Sequence, residues 1–183
     1  MRTLIAQYND KAQRLFVVDL ESGRLTEADR SERNDITDLA WAPDSRWLAY
    51  RKTAGTRLAQ IWVWSLESEK ANPLTDPMVA SFSPAFDPEG RYLYFLSNRD
   101  MNLTFSGWDE TFVYTGPTRL YAGTLSADQL RPFQPRTDEE AAEDAGEGNR
   151  EEEEKADSSV PDVEIDFDDF ETRVVAIPGT SGR

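Results

Sequence analysis

A cassette of eleven residues occurs twice, and its recurrence limits what this chain can fold into more than any other feature. It reads Ala40-Trp41-Ala42-Pro43-Asp44-Ser45-Arg46-Trp47-Leu48-Ala49-Tyr50, then Ala85-Phe86-Asp87-Pro88-Glu89-Gly90-Arg91-Tyr92-Leu93-Tyr94-Phe95. Each copy runs from an aromatic residue through a turn and an arginine into an apolar strand. Pro43 and Pro88 preset φ for the first corner of a tight turn, and Asp44-Ser45 and Glu89-Gly90 suit its second half, so each cassette predicts a hairpin. A second element repeats at almost the same period. Leu15-Phe16-Val17-Val18 and Ile61-Trp62-Val63-Trp64 are both followed by Leu-Glu-Ser, at 20–22 and 66–68. Spacings of 45 residues (Trp41 to Phe86) and 46 residues (Leu15 to Ile61) are those of successive four-stranded units in a β-propeller.

Counting from the cassettes divides the chain. Residues 34–76 hold one whole unit, with strands at 36–41, 47–52, 60–66 and 71–75. The strand at 60–66 is apolar on both faces, as required of a sheet packed between two others. Before it come strands at 3–8, 14–20 and 25–27, a unit that lacks its first strand. After it come strands at 81–86, 91–97 and 119–125, with 131–135 expected as the outer fourth strand and 99–118 inserted as a rim loop. The fold class is therefore all-β, a partial β-propeller of about two and a half four-stranded antiparallel blades over residues 1–136. A disordered acidic loop at 137–160 follows, and 161–183 is expected to start further propeller strands and to be truncated. Blades bury their faces only against neighbours, so the chain is expected to be a piece of a longer ring.

Composition excludes several functions. The chain has 183 residues and a net charge of −15, a poor match for nucleic-acid phosphates or an anionic membrane. Residues 138–157 carry eleven acids and two bases, which leaves the rest of the chain only mildly acidic. That segment cannot bury enough apolar surface to offset its ordering entropy. It reads as a solvated loop, with a cation-binding or partner-docking tail as the alternative. There is no cysteine and no histidine, so disulfides, thiolate chemistry and a His-dependent triad within these residues are excluded. No apolar run reaches the length of a membrane span, and the start has no signal-peptide order. The expected location is cytoplasmic, or periplasmic if a longer protein carries a signal peptide.

The succession 36–50, 60–66, Leu74-Thr75-Asp76 and Ser83 through Asp100 resembles the seven-bladed propeller of tricorn-type serine proteases. Ile165-Asp166-Phe167-Asp168 and Arg173-Val174-Val175-Ala176-Ile177-Pro178 are similar to the segment that opens a following blade there, and the acidic insertion before them also fits. The resemblance implies a large peptidase that trims oligopeptides, with two propellers, a PDZ-like module and a C-terminal catalytic region. It implies that this chain is a non-catalytic gate or channel for peptides. The implied partners are peptides, the remaining blades, the PDZ-like and catalytic domains, and further copies in a homo-oligomer. The alternative is an interaction propeller of the periplasmic-translocation or prolyl-oligopeptidase-gating kind.

No residue is assigned as catalytic, cofactor-binding or metal-binding, and no cofactor is expected. Asp44, Asp87 and Glu89 sit beside prolines and read as turn residues. Asp100, Asp109 and Glu110 are near one another in sequence, but their spacing matches no calcium loop. Ser83 and Ser106 have no visible base. Arg99 and Arg119 flank the insertion and suit either blade-to-blade pairing or a peptide carboxylate held bidentately. The aromatic residues Phe105, Trp108, Phe112 and Tyr114 of the insertion either pack on a blade or meet a substrate or domain.

Overall fold

A computed structural model describes residues 3–9, 12–33, 35–100, 102–105, 107, 112–115, 117–132 and 160–181. The first sheet is β1 (Thr3–Asn9), β2 (Ala12–Val18) and β3 (Leu25–Ser31), in that order. The second is β4 (Thr37–Trp41), β5 (Trp47–Thr53), β6 (Ala59–Ser65) and β7 (Ala71–Pro73), again in chain order. The third begins with β8 (Ser81–Phe86) and β9 (Tyr92–Ser97). A separate hairpin of β10 (Asn102–Phe105) and β11 (Phe112–Thr115) is then inserted before β12 (Arg119–Thr124) and β13 (Val174–Ser181). The third sheet's order is β13-β12-β9-β8, and every pairing is antiparallel. These are two four-stranded blades and a three-stranded one, all-β as the repeat predicts.

The repeat extends to backbone geometry. Ser45 and Gly90 close the cassette turns at φ 60° and 70°, donating N–H to Ala42 O (2.9 Å) and Asp87 O (3.0 Å). Asp38 and Ser83, also 45 residues apart, have φ 53° and 54°. Each lies where the first strand slips register against the second, between Thr37 and Ala40 and between Phe82 and Ala85. A bulge bends each first strand at the same place. The Leu-Glu-Ser turns likewise end in left-handed residues, Gly23 (φ 72°) and Glu69 (φ 54°).

Alternation along β6 builds two cores. Trp64 joins Leu48, Tyr50, Leu15, Val17, Ala28 and Ile36 between blades one and two, with Trp41 edge-on at 6.5 Å. Ile61 and Val63 point the other way, into a core with Ala49, Leu93, Phe95 and Tyr121 between blades two and three. Polar ties reinforce the first contact: the Tyr50 hydroxyl donates to Asp29 (2.6 Å), Lys52 pairs with Asp29 (2.8 Å), and Arg24 pairs with Glu69 (2.6 Å).

Residues beyond the acidic segment correct the sequence reading. The outer strand of blade three is β13, paired with β12 through Tyr121–Ala176 and Gly123–Val174. The outer position expected for 131–135, of which 133–135 lie outside the described residues, is thus held by β13 at 174–181. Residues 160–167 run extended in no sheet, and Val163, Ile165 and Phe170 enter the core between blades two and three. Register explains why they are needed. Leu48 pairs with Trp64 in blade two, and the equivalent Leu93 pairs with Gly123 in blade three. Glycine therefore stands where a buried tryptophan stands one blade earlier, and the Phe170 ring occupies the vacated space. A Cβ on Gly123 would lie 2.3 Å from Phe170 Cζ, and one on Gly90 would lie 2.5 Å from Val163 Cγ2. The expected disorder of 137–160 concerns residues that, apart from Val160, lie outside the described ones.

Candidate functional site

In an antiparallel blade the first and third turns leave one end and the second turn leaves the other. The excursion 125–173, a third turn, therefore belongs to the same rim as the cassette turns. The β10–β11 hairpin, a second turn, belongs to the opposite rim. The two insertions flagged in the sequence thus leave opposite faces of the ring.

At the cassette rim the acids are occupied by local structure. Asp44 accepts from Arg46 N–H (2.9 Å) and Val163 N–H (3.2 Å), and Arg46 also pairs with Asp162. Asp87, only 4% exposed, accepts from Arg91 N–H (2.7 Å) and Tyr92 N–H (2.8 Å). Glu89 faces Arg91 at 3.6 Å. These carboxylates shape turns and do not converge as an acid–base pair. Between the cassette turn and the Leu-Glu-Ser turn of blade one lies a groove of about 430 Å³ lined by Leu20, Glu21, Asp44, Arg46 and Leu66.

At the opposite rim, Arg99 lies over the rings of Phe95 (5.1 Å) and Tyr121 (4.9 Å) and pairs with Glu171 at 2.6 Å. The other Glu171 oxygen accepts from Asp76 N–H (2.6 Å), in the link between blades two and three. Glu171 therefore fastens the 160–173 segment to blade three through Arg99 and to the link from blade two through Asp76. Its Nη2 and the Arg119 Nε are buried without a hydrogen-bond partner among the described residues. Asp100 accepts from the Tyr121 hydroxyl (2.7 Å). Burial, then that hydrogen bond and the Asp100 charge, push the Tyr121 phenol up to about 12, so it stays a donor at neutral pH. Asp109, Glu110 and Ser106 lie outside the described residues, as do the side chains of Phe105, Trp108, Phe112 and Tyr114. Among the described residues no three acids converge as a metal site.

The first strands form the third locality. The Ser83 N–H donates to the Asp38 carboxylate of the preceding blade at 3.1 Å, which joins two equivalent bulges. Thr37, Asp38 and Leu39 on β4 are exposed, as are Ser83 and Ala85 on β8. Sequence reasoning considered Ser83 only as a nucleophile and missed Asp38. Their 45-residue separation was the available signal, hidden because neither is a glycine.

Bladed sheets, a repeating inner bulge and rim insertions define a β-propeller domain. The sequence model described as the tricorn protease second beta propeller domain matches residues 3–183, and the chain belongs to that family. Tricorn protease homolog 1 of Streptomyces coelicolor is 30% identical over 170 residues, covering 93% of this chain and 16% of that protein. Tricorn protease of Thermoplasma volcanium is 30% identical over 130 residues, 68% of this chain and 12% of that one. A crystal structure of the tricorn protease superposes with a TM-score of 0.68 at 24% identity, over 98% of this chain and 16% of that one. The chain thus spans about a sixth or less of the length of these relatives.

Proposed function

We propose that this propeller segment gates peptides, admitting extended oligopeptides past its first strands toward the active site of a longer tricorn-like serine peptidase. The observation that carries the reading is the paired bulge at Asp38 and Ser83, which turns short polar side chains and free strand edge outward on adjacent blades. Such a surface meets a passing backbone without an apolar pocket to retain it, whereas a binding site would bury large anchors. The reading assigns peptides as the cargo, leaves catalysis to other domains of the parent chain, and includes assembly of that parent into a homo-oligomer.

The test places bulk on the inner strands of the parent protein as Leu39→Trp with Ala85→Trp. Cleavage of long oligopeptides is expected to fall while cleavage of short chromogenic substrates stays unchanged. An equal change for both lengths would remove the gating role.

A further inference from the structure

The 160–173 segment is held the way a ligand is held. Its polar ties to the blades are individual and belong to no ladder. The Trp47 indole N–H donates to Val163 O (2.8 Å), Asp44 accepts from Val163 N–H (3.2 Å), and Asp166 N–H donates to Leu125 O (3.0 Å) while its carboxylate accepts from Ala127 N–H (2.7 Å). Arg46 pairs with Asp162, and Glu171 pairs with Arg99 and accepts from Asp76 N–H (2.6 Å each). At its C-terminal end Arg173 donates to Thr124 O (3.1 Å) and to the segment's own Asp168 O (2.8 Å) and Asp166 O, which makes it the hinge. Its side chains alternate over 162–165, and after a turn at 168–169 Phe170 again points inward. Val163, Ile165 and Phe170 are buried, while Glu164, Asp168 and Asp169 are exposed. The receiving side is shaped in advance by two glycines, since a Cβ at Gly90 or Gly123 would strike Val163 or Phe170. Neither blade uses residues 160–167 as a strand, so their departure breaks no ladder of either sheet. A cleft of about 360 Å³ between Trp47, Glu67 and Val163 stays open beside the point where the segment enters.

We propose that the space between blades two and three is a peptide-recognition groove whose resident is the chain's own segment 162–171. The same groove accepts, in trans, a peptide of that chemistry whose backbone turns sharply before the aromatic residue, as the resident does at Asp169 (φ 53°) to enter the 3-10 turn Phe170–Arg173. A branched aliphatic side chain fills the Gly90 notch, an aromatic ring fills the Gly123 notch, and acids between them face water. The Gly123 notch supplies most of the selectivity, because an aromatic ring there completes the core that Trp64 completes one blade earlier. The groove uses none of the exposed residues Thr37, Asp38, Leu39, Ser83 and Ala85, so its occupancy is independent of the gating reading.

The experiment uses the full chain with the resident weakened as Val163→Ala with Phe170→Ala, and a fluorescein-labelled synthetic peptide of residues 160–172 as probe. Anisotropy is expected to show the variant binding the probe at least about tenfold more tightly than the wild-type chain. A probe carrying Phe170→Ala is expected to lose that gain. A folded variant, judged by its tryptophan near-UV signal, that ignores the probe would overturn the proposal, as would equal binding of both probes. Should the double variant unfold, hydrogen exchange on the wild-type chain decides. Amides of 163–172 exchanging well before β9 and β12 support a separable ligand, and simultaneous exchange refutes one.

Discussion

The two contacts between blades solve one problem in different ways. Between blades one and two the strands supply the largest buried side chains among the described residues, with Trp64, Tyr50 and Leu48 fully buried against Leu15 and Val17. Between blades two and three the sheet leaves a gap at Gly123, and a segment arriving from beyond the acidic stretch fills it with Phe170. A side chain borne by a paired strand leaves only when the sheet unfolds. One borne by an unpaired segment can leave alone, because its release breaks individual hydrogen bonds and ion pairs but no strand ladder. The repeat thus builds a permanent contact and a detachable one from equivalent positions.

The largest effect is expected where the contact is permanent. Trp64→Ala should lower the unfolding free energy by about 3–5 kcal/mol in urea titrations, the usual cost of emptying a large aromatic site. Phe170→Ala removes a ring of similar burial, yet its loss should be confined to the 160–173 segment in hydrogen exchange, with β9 and β12 still protected. Equal global losses would erase the distinction between the two contacts.

A smaller effect tests the notch from its other side. Gly123→Ala normally favours a strand, but here the new methyl meets Phe170 and should cost about 1–3 kcal/mol by overpacking. Combining Gly123→Ala with Phe170→Ala should recover most of that cost, because the clash disappears with the ring. A double variant as unstable as the sum of the two singles would show that the notch does not explain the penalty.

The smallest effect belongs to the first contact and fades at acid pH. Burial works against the charge of Asp35, but hydrogen bonds from the Ser31 hydroxyl and the Thr53 hydroxyl and N–H outweigh it, holding the carboxyl below its ordinary 3.8. A depressed folded value stabilises the fold above the unfolded value, and that contribution is lost as pH falls through the folded one. Asp35→Asn should therefore be less stable than wild type at neutral pH, with the difference shrinking below about pH 4. A pH-independent difference between the two stability profiles would contradict the assignment.

Much of this architecture was legible before any coordinates. The proline-anchored cassettes, the Leu-Glu-Ser turns and the two-faced Ile61-Trp62-Val63-Trp64 strand depend on residues adjacent in sequence, and each folds as its pattern predicts. The outer strand of blade three was misplaced for a specific reason. Residues 125–173 intervene between β12 and β13, and no local pattern can count pairing across so long an excursion. Val163 and Ile165 read as the start of another strand because alternation marks one buried face and says nothing about what covers it. The inner bulges were hidden as well, since left-handed backbone at Asp38 and Ser83 is imposed by strand register and not announced by glycine.

By itself the sequence determined the repeat, and with it the four-stranded unit and the family, because period, turn chemistry and alternation are local properties. Only the tertiary structure decided that Arg99 serves Glu171, that the two insertions leave opposite rims, and that Phe170 stands in for a tryptophan at Gly123. Those outcomes depend on which surfaces meet in space. A glycine in a strand becomes a notch only when a side chain far along the chain is brought to fill it.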